Sequence, residues 1–97
     1  VLQKLNFHVE NSPLGVIEWD RDFRVSRFSK EAERIFGWQA EELLGKRFDE
    51  WNFIFEEDTD EVVKIVTELT TGIEPRVVIQ NRNYTKAGTV IDCQWYD

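Results

Sequence analysis

The chain has 97 residues, 41% of them hydrophobic, including seven Phe and four Trp; that suits one domain burying roughly 60–70% of its unfolded surface and is too apolar for disorder. Nineteen acidic residues against 12 basic leave a formal charge of −7, which argues against a nucleic-acid partner, because phosphate binding needs a basic face. No apolar run approaches the ~20 residues of a membrane span and the single cysteine permits no internal disulfide, so a cytoplasmic domain without direct membrane contact is expected, cut from a longer protein since it starts at Val1.

Leu2, Leu5 and Val9 recur at spacings of three and four, predicting a short helix that Asn11-Ser12-Pro13 stops. Residues 1–11 are therefore expected as a helix or linker ahead of a domain spanning 12–97. Strands are predicted over 15–20 and 23–28, joined by Asp20-Arg21-Asp22 as an antiparallel hairpin. Ser29 is a good helix N-cap, with Glu31 and Glu33 in the following turn. Ala32, Ile35 and Phe36 share one face of that helix, and Gly37 supplies a left-handed exit. A second short helix, Ala40–Leu44, is expected to end the same way at Gly45.

The third helix, from about Glu57 to Thr71, is the most periodic. Val62, Ile65, Val66 and Leu69 fall at i, i+3, i+4 and i+7, and Gly72 closes the run. They are expected to lie on a sheet against Ile79, Ile91 and Cys93. A strand follows from near Pro75 to Tyr84, with Val77, Ile79 and Asn81 alternating with Val78, Gln80 and Arg82. After the turn Thr85-Lys86-Ala87-Gly88, a last strand places Ile91, Cys93 and Trp95 on one face and Val90, Asp92, Gln94 and Tyr96 on the other.

Four stretches, in order and at the right spacing, resemble the PAS family of signalling modules. Phe28-Ser29-Lys30-Glu31-Ala32-Glu33-Arg34-Ile35-Phe36-Gly37-Trp38 looks like its W-N-x-A-A-E-R-L-F-G-Y stretch, and Glu41-Glu42-Leu43-Leu44-Gly45-Lys46 its E-E-L-I-G-K. Phe55-Glu56-Glu57-Asp58 sits where the family has H-P-E-D, and Tyr84-Thr85-Lys86-Ala87-Gly88 where it has a K-D-G hairpin. Ser29, Phe55-Glu56 and Ala87 depart from the usual Asn, His-Pro and Asp.

The resemblance implies an α+β fold: a five-stranded antiparallel sheet with short helices on one face. It implies a non-catalytic sensory or signal-relay module attached to a histidine kinase of a two-component system, a cyclase or a transcription regulator. Such a module binds a small ligand or mediates dimerisation. A homodimer is expected, with Leu2, Leu5 and Val9 as its contacts. A ligand pocket, where one exists, would be lined by Ile17, Trp19, Phe36, Ile65, Leu69, Ile79, Cys93 and Trp95. Only four strands are legible, so the family's last, central strand is expected to be missing through C-terminal truncation. The gap would then be filled by the N-terminal segment, by direct closure of 15–20 against 89–96, or, the favoured choice, by a strand exchanged between protomers.

No resident cofactor is expected. Haem ligation in the family uses a histidine on the third helix, and the only histidine here is His8. A flavin photoadduct needs a cysteine where Gly45-Lys46-Arg47-Phe48 puts Phe48, while Cys93, the only cysteine, reads as a buried core residue. Flavin without an adduct remains the cofactor alternative that the tryptophans suggest. Glu56, Glu57, Asp58 and Asp60 lack the glycine and spacing of a calcium loop and read as a helix N-terminus, so no metal site is expected. The alternative function is a small carboxylate-dependent α+β enzyme, for which Glu18 and Asp92 are the only acids within strands. They form no catalytic set.

Overall fold

The computed structural model describes residues 3–9, 12–71 and 79–96. Their elements, in order, are β1 (Gln3–His8), β2 (Gly15–Trp19), β3 (Val25–Phe28), α1 (Lys30–Phe36), α2 (Ala40–Leu43), a 3₁₀ turn (Glu56–Asp58), α3 (Thr59–Thr70), β4 (Ile79–Tyr84) and β5 (Val90–Tyr96). One five-stranded antiparallel sheet runs β3-β2-β1-β5-β4. Gly72, Pro75, Val77 and Val78 lie outside the described residues, as does Leu2.

The helix expected over Leu2–Val9 is a strand. It occupies the centre of the sheet, antiparallel to β2 through pairs such as Leu5↔Ile17 and Phe7↔Gly15, and to β5 through Phe7↔Trp95. The same segment carries two periodicities, Leu2/Leu5/Val9 for a helix and Leu5/Phe7/Val9 for a strand. Phe7, which the helical pattern leaves out, is fully buried. The unpaired amides and carbonyls of two hairpins decide the matter, because buried backbone groups must find partners. The gap is thus filled from within the chain, by the N-terminal segment, and the favoured exchange between protomers is not what the fold shows. Leu5 and Val9 pack on their own core, which removes the helical face on which their role as dimer contacts rested.

Other boundaries shift for local reasons. The first hairpin turn extends through Phe23, which has a left-handed φ of 56° yet is buried. Asp20 holds it there, its Oδ1 accepting from the N–H groups of Asp22 and Arg24. Ser29 caps α1 as expected, its hydroxyl accepting from Ala32 N–H at 3.1 Å, and it also accepts from Val16 N–H at 3.0 Å. One side chain therefore starts the helix and pins it to β2. Gly37 (φ 88°) closes α1 by donating to the Glu33 carbonyl. Gly45 (φ 84°) supplies the expected left-handed exit after α2, but its N–H donates to the Val25 carbonyl on β3 instead of back into the helix.

The core lies on one side of the sheet, where Phe7 packs between Phe36 (ring centroids 5.0 Å) and Trp95 (4.6 Å), tilted 35° to each. A Cβ on Gly15 would stand 2.7 Å from Cε1 of the Phe7 ring, closer than carbon atoms approach. Gly15→Ala is expected to destabilise the domain by ~1–3 kcal/mol. Adding Phe7→Leu should make the pair cost less than the sum of the two single changes, because the smaller side chain vacates the space. Urea unfolding of the two single variants and the double variant measures this coupling.

Candidate functional site

A cavity of about 60 Å³ lies between the sheet and α3. Its floor is Leu5 of β1, Trp19 of β2, Asn81 and Asn83 of β4 and Trp95 of β5; its roof is Val62, Ile65, Val66 and Leu69 of α3; Phe23, Phe48, Phe53 and Ile54 close the sides. Of the expected lining residues, Trp19, Ile65, Leu69 and Trp95 are on the wall. Ile17, Phe36 and Cys93 are fully buried in the core instead, because the aromatic cluster around Phe7 fills that end of the concave face. Ile79 contributes backbone to β4 and its side chain lies outside the described set.

The roof is looser than its periodicity suggests. Val62, Val66 and Leu69 are half-buried against the core, whereas Ile65 faces the cavity without joining the core cluster, and Val63 is 45% exposed. What holds the start of α3 is polar. Asp58 accepts from the Arg82 guanidinium through both carboxylate oxygens, at 2.8 and 3.1 Å, and from Arg82 N–H at 2.7 Å. These bonds, the side-chain ones first, hold the Asp58 carboxyl below the usual range. Beside it Glu56 accepts from the Tyr84 hydroxyl, and Arg82 lies 4.4 Å over the Phe55 ring. The acidic run read as a helix N-terminus is thus also a clamp onto β4. No group of metal-binding side chains occurs among the described residues.

The polar wall consists of two asparagines of β4, Asn81 and Asn83. Asn83 is 1% exposed and Asn81 8%. Asn83 donates to the Phe53 carbonyl at 3.2 Å, while its Oδ1 accepts from Asn81 Nδ2 at 3.2 Å and from Trp95 Nε1 at 3.4 Å. Two Asn spaced by two in a strand, on the face shared with apolar residues, are the signal that would have revealed them. Phe48 stands on the wall where the resemblance places a photoreceptor's thiol. Glu18 bonds Arg27, and Asp92 is exposed on the face opposite Cys93 and Trp95. Neither acid lines the cavity.

The sequence matches the PAS fold family over residues 3–94. The chain belongs to the PAS family, whose domains are in general sensory and signalling modules. No curated protein and no solved structure matches it.

Cys93 lies off the cavity wall, and burial, with a smaller contribution from Asp92, pushes its thiol up to about 12. At pH 8 the native thiol should react with iodoacetamide ~10³-fold more slowly than a free cysteine. Labelling should then follow global unfolding, and fast labelling of the folded domain would contradict the burial.

Proposed function

We propose that the chain is the sensory and signal-relay domain of a larger signalling protein, taking a small molecule in the cavity beneath α3. The observation that carries this is the cavity itself: an apolar chamber with a buried, uncharged asparagine relay on its floor and a half-buried helix as its roof. Core positions that serve packing alone are apolar, and a buried amide is retained at a desolvation cost. Ligand sites combine apolar walls with a few convergent polar groups in this way. The roof is the element whose position an occupant changes most directly, and its clamp onto β4 through Asp58 and Arg82 carries that change to the sheet.

No resident cofactor is part of this reading. A volume of about 60 Å³, against the ~300–1,000 Å³ of drug-sized sites, supports a reading without resident flavin or haem. An attached effector, whether histidine kinase, cyclase or transcription regulator, and pairing of two copies are part of this reading, which the family's general signalling role supports. A cytoplasmic setting rests on the single buried thiol and on the absence, among the described residues, of a helix able to cross a membrane.

Ile65→Trp, which fills the cavity from its roof, is the test. In the intact signalling protein it should leave the domain folded by circular dichroism and hold output at one level whatever the stimulus. Output that still follows the stimulus would remove the cavity from signalling.

A further inference from the structure

The polarity of the cavity floor is fixed by a chain of hydrogen bonds that leaves two groups unused. Trp95 Nε1–H can only donate, so the group it meets on Asn83 is the amide oxygen, at 3.4 Å. The Asn83 Nδ2 then faces the Phe53 carbonyl, which accepts only. Asn81 must in turn present its Nδ2 to the Asn83 oxygen, at 3.2 Å, with a longer contact of 3.4 Å to the Arg82 carbonyl. This orientation leaves the Asn81 Oδ1 accepting no hydrogen bond among the described residues. Across the floor, Trp19 is 3% exposed and its Nε1–H is buried with no partner among the described residues. An unpaired buried donor is costly and rare. The Trp51 indole N–H is unpartnered too, but Trp51 is not on the cavity wall.

Trp19 and Asn81 both line the cavity, so one unpaired donor and one unused acceptor belong to residues of its wall. Among the described residues no ionisable side chain lines it, so a charged occupant would be desolvated without compensation. The present volume, about 60 Å³, is small beside the ~300–1,000 Å³ of drug-sized sites, and a larger guest must displace the half-buried residues of α3. Resting on the sensory reading above, we propose that the occupant is a small uncharged molecule with a hydroxyl group on an apolar body of at most one ring. Its oxygen accepts from Trp19 Nε1–H and its proton is donated to Asn81 Oδ1. Entry lifts α3, so the guest that satisfies the floor also moves the roof.

The test titrates the unmodified domain with phenol, anisole, benzene and benzoate, following heat and the backbone amide resonances. Phenol should bind saturably, shifting Trp19, Asn81 and α3. It should bind ~10-fold more tightly than anisole, which accepts but cannot donate, and more tightly still than benzene. Benzoate should bind at least ~100-fold more weakly than phenol. Asn81→Leu should erase the preference for phenol over anisole; the wild-type comparison stands on its own should that variant not fold. Equal binding of phenol and anisole, comparable binding of benzoate, or no phenol binding at the cavity would each overturn the proposal. Should phenol fail while signalling is still lost in Ile65→Trp, the ligand class is wrong and the sensory reading survives.

Discussion

A sheet built from two hairpins has one seam, and everything else here depends on how it is closed. The β2–β3 and β4–β5 hairpins meet only through β1. Phe7 sits near the C-terminal end of that strand, opposite Gly15 on one side and Trp95 on the other. Its ring contacts the α1 residue Phe36 as well, so one side chain joins both halves of the sheet to the first helix. Burying such a ring contributes about 1.5–3 kcal/mol, and each aromatic pairing about 0.5–1.5 kcal/mol more. In a domain of this size that is a large part of the net stability. The absent side chain of Gly15 is the complementary half of the contact.

The cavity follows from this seam. The aromatic cluster fills the end of the concave face under α1, and Ile17, Phe36 and Cys93 are used up there. Toward α3 the floor changes character, because β4 contributes Asn81 and Asn83 where interior packing alone would place apolar side chains. Amides tied to fixed partners cannot collapse into the space as a leucine would. The helix above is held at its N-terminal end by Asp58 on Arg82 and rests on the core through half-buried residues. A firm sheet, a polar floor and a lightly held roof together give a chamber whose one movable wall touches its contents. Leu5 extends the coupling, since it belongs to the seam strand and also lines the cavity.

Much of this was legible in the sequence. Ser29 as a cap, Gly37 as a left-handed exit and the alternation of Ile91, Cys93 and Trp95 depend on local chemistry, and all stand as read. Four motif stretches in order identified the family and its architecture. The N-terminal segment was misread because its state is set by what it must pair with: Leu2, Leu5 and Val9 fit a helix, and only an open slot in a sheet favours Leu5, Phe7 and Val9. The site was half legible for a related reason. Periodicity says which residues face inward, so Trp19, Ile65, Leu69 and Trp95 were found, but it does not say where packing fails to fill space. Periodicity alone therefore places Ile17, Phe36 and Cys93 at a pocket and does not single out Asn83, the most deeply buried polar residue among those described.

The central claim, that β1 closes the sheet from within its own chain, is tested most directly by backbone NMR of the domain. The account predicts cross-strand contacts from Phe7 to both Gly15 and Trp95 within one molecule, with the Phe7 amide exchanging as slowly as those of Ile17 and Cys93. A Phe7 amide that exchanges at open-loop rates while β2 and β5 stay protected would contradict it. So would contacts that appear only between differently labelled protomers.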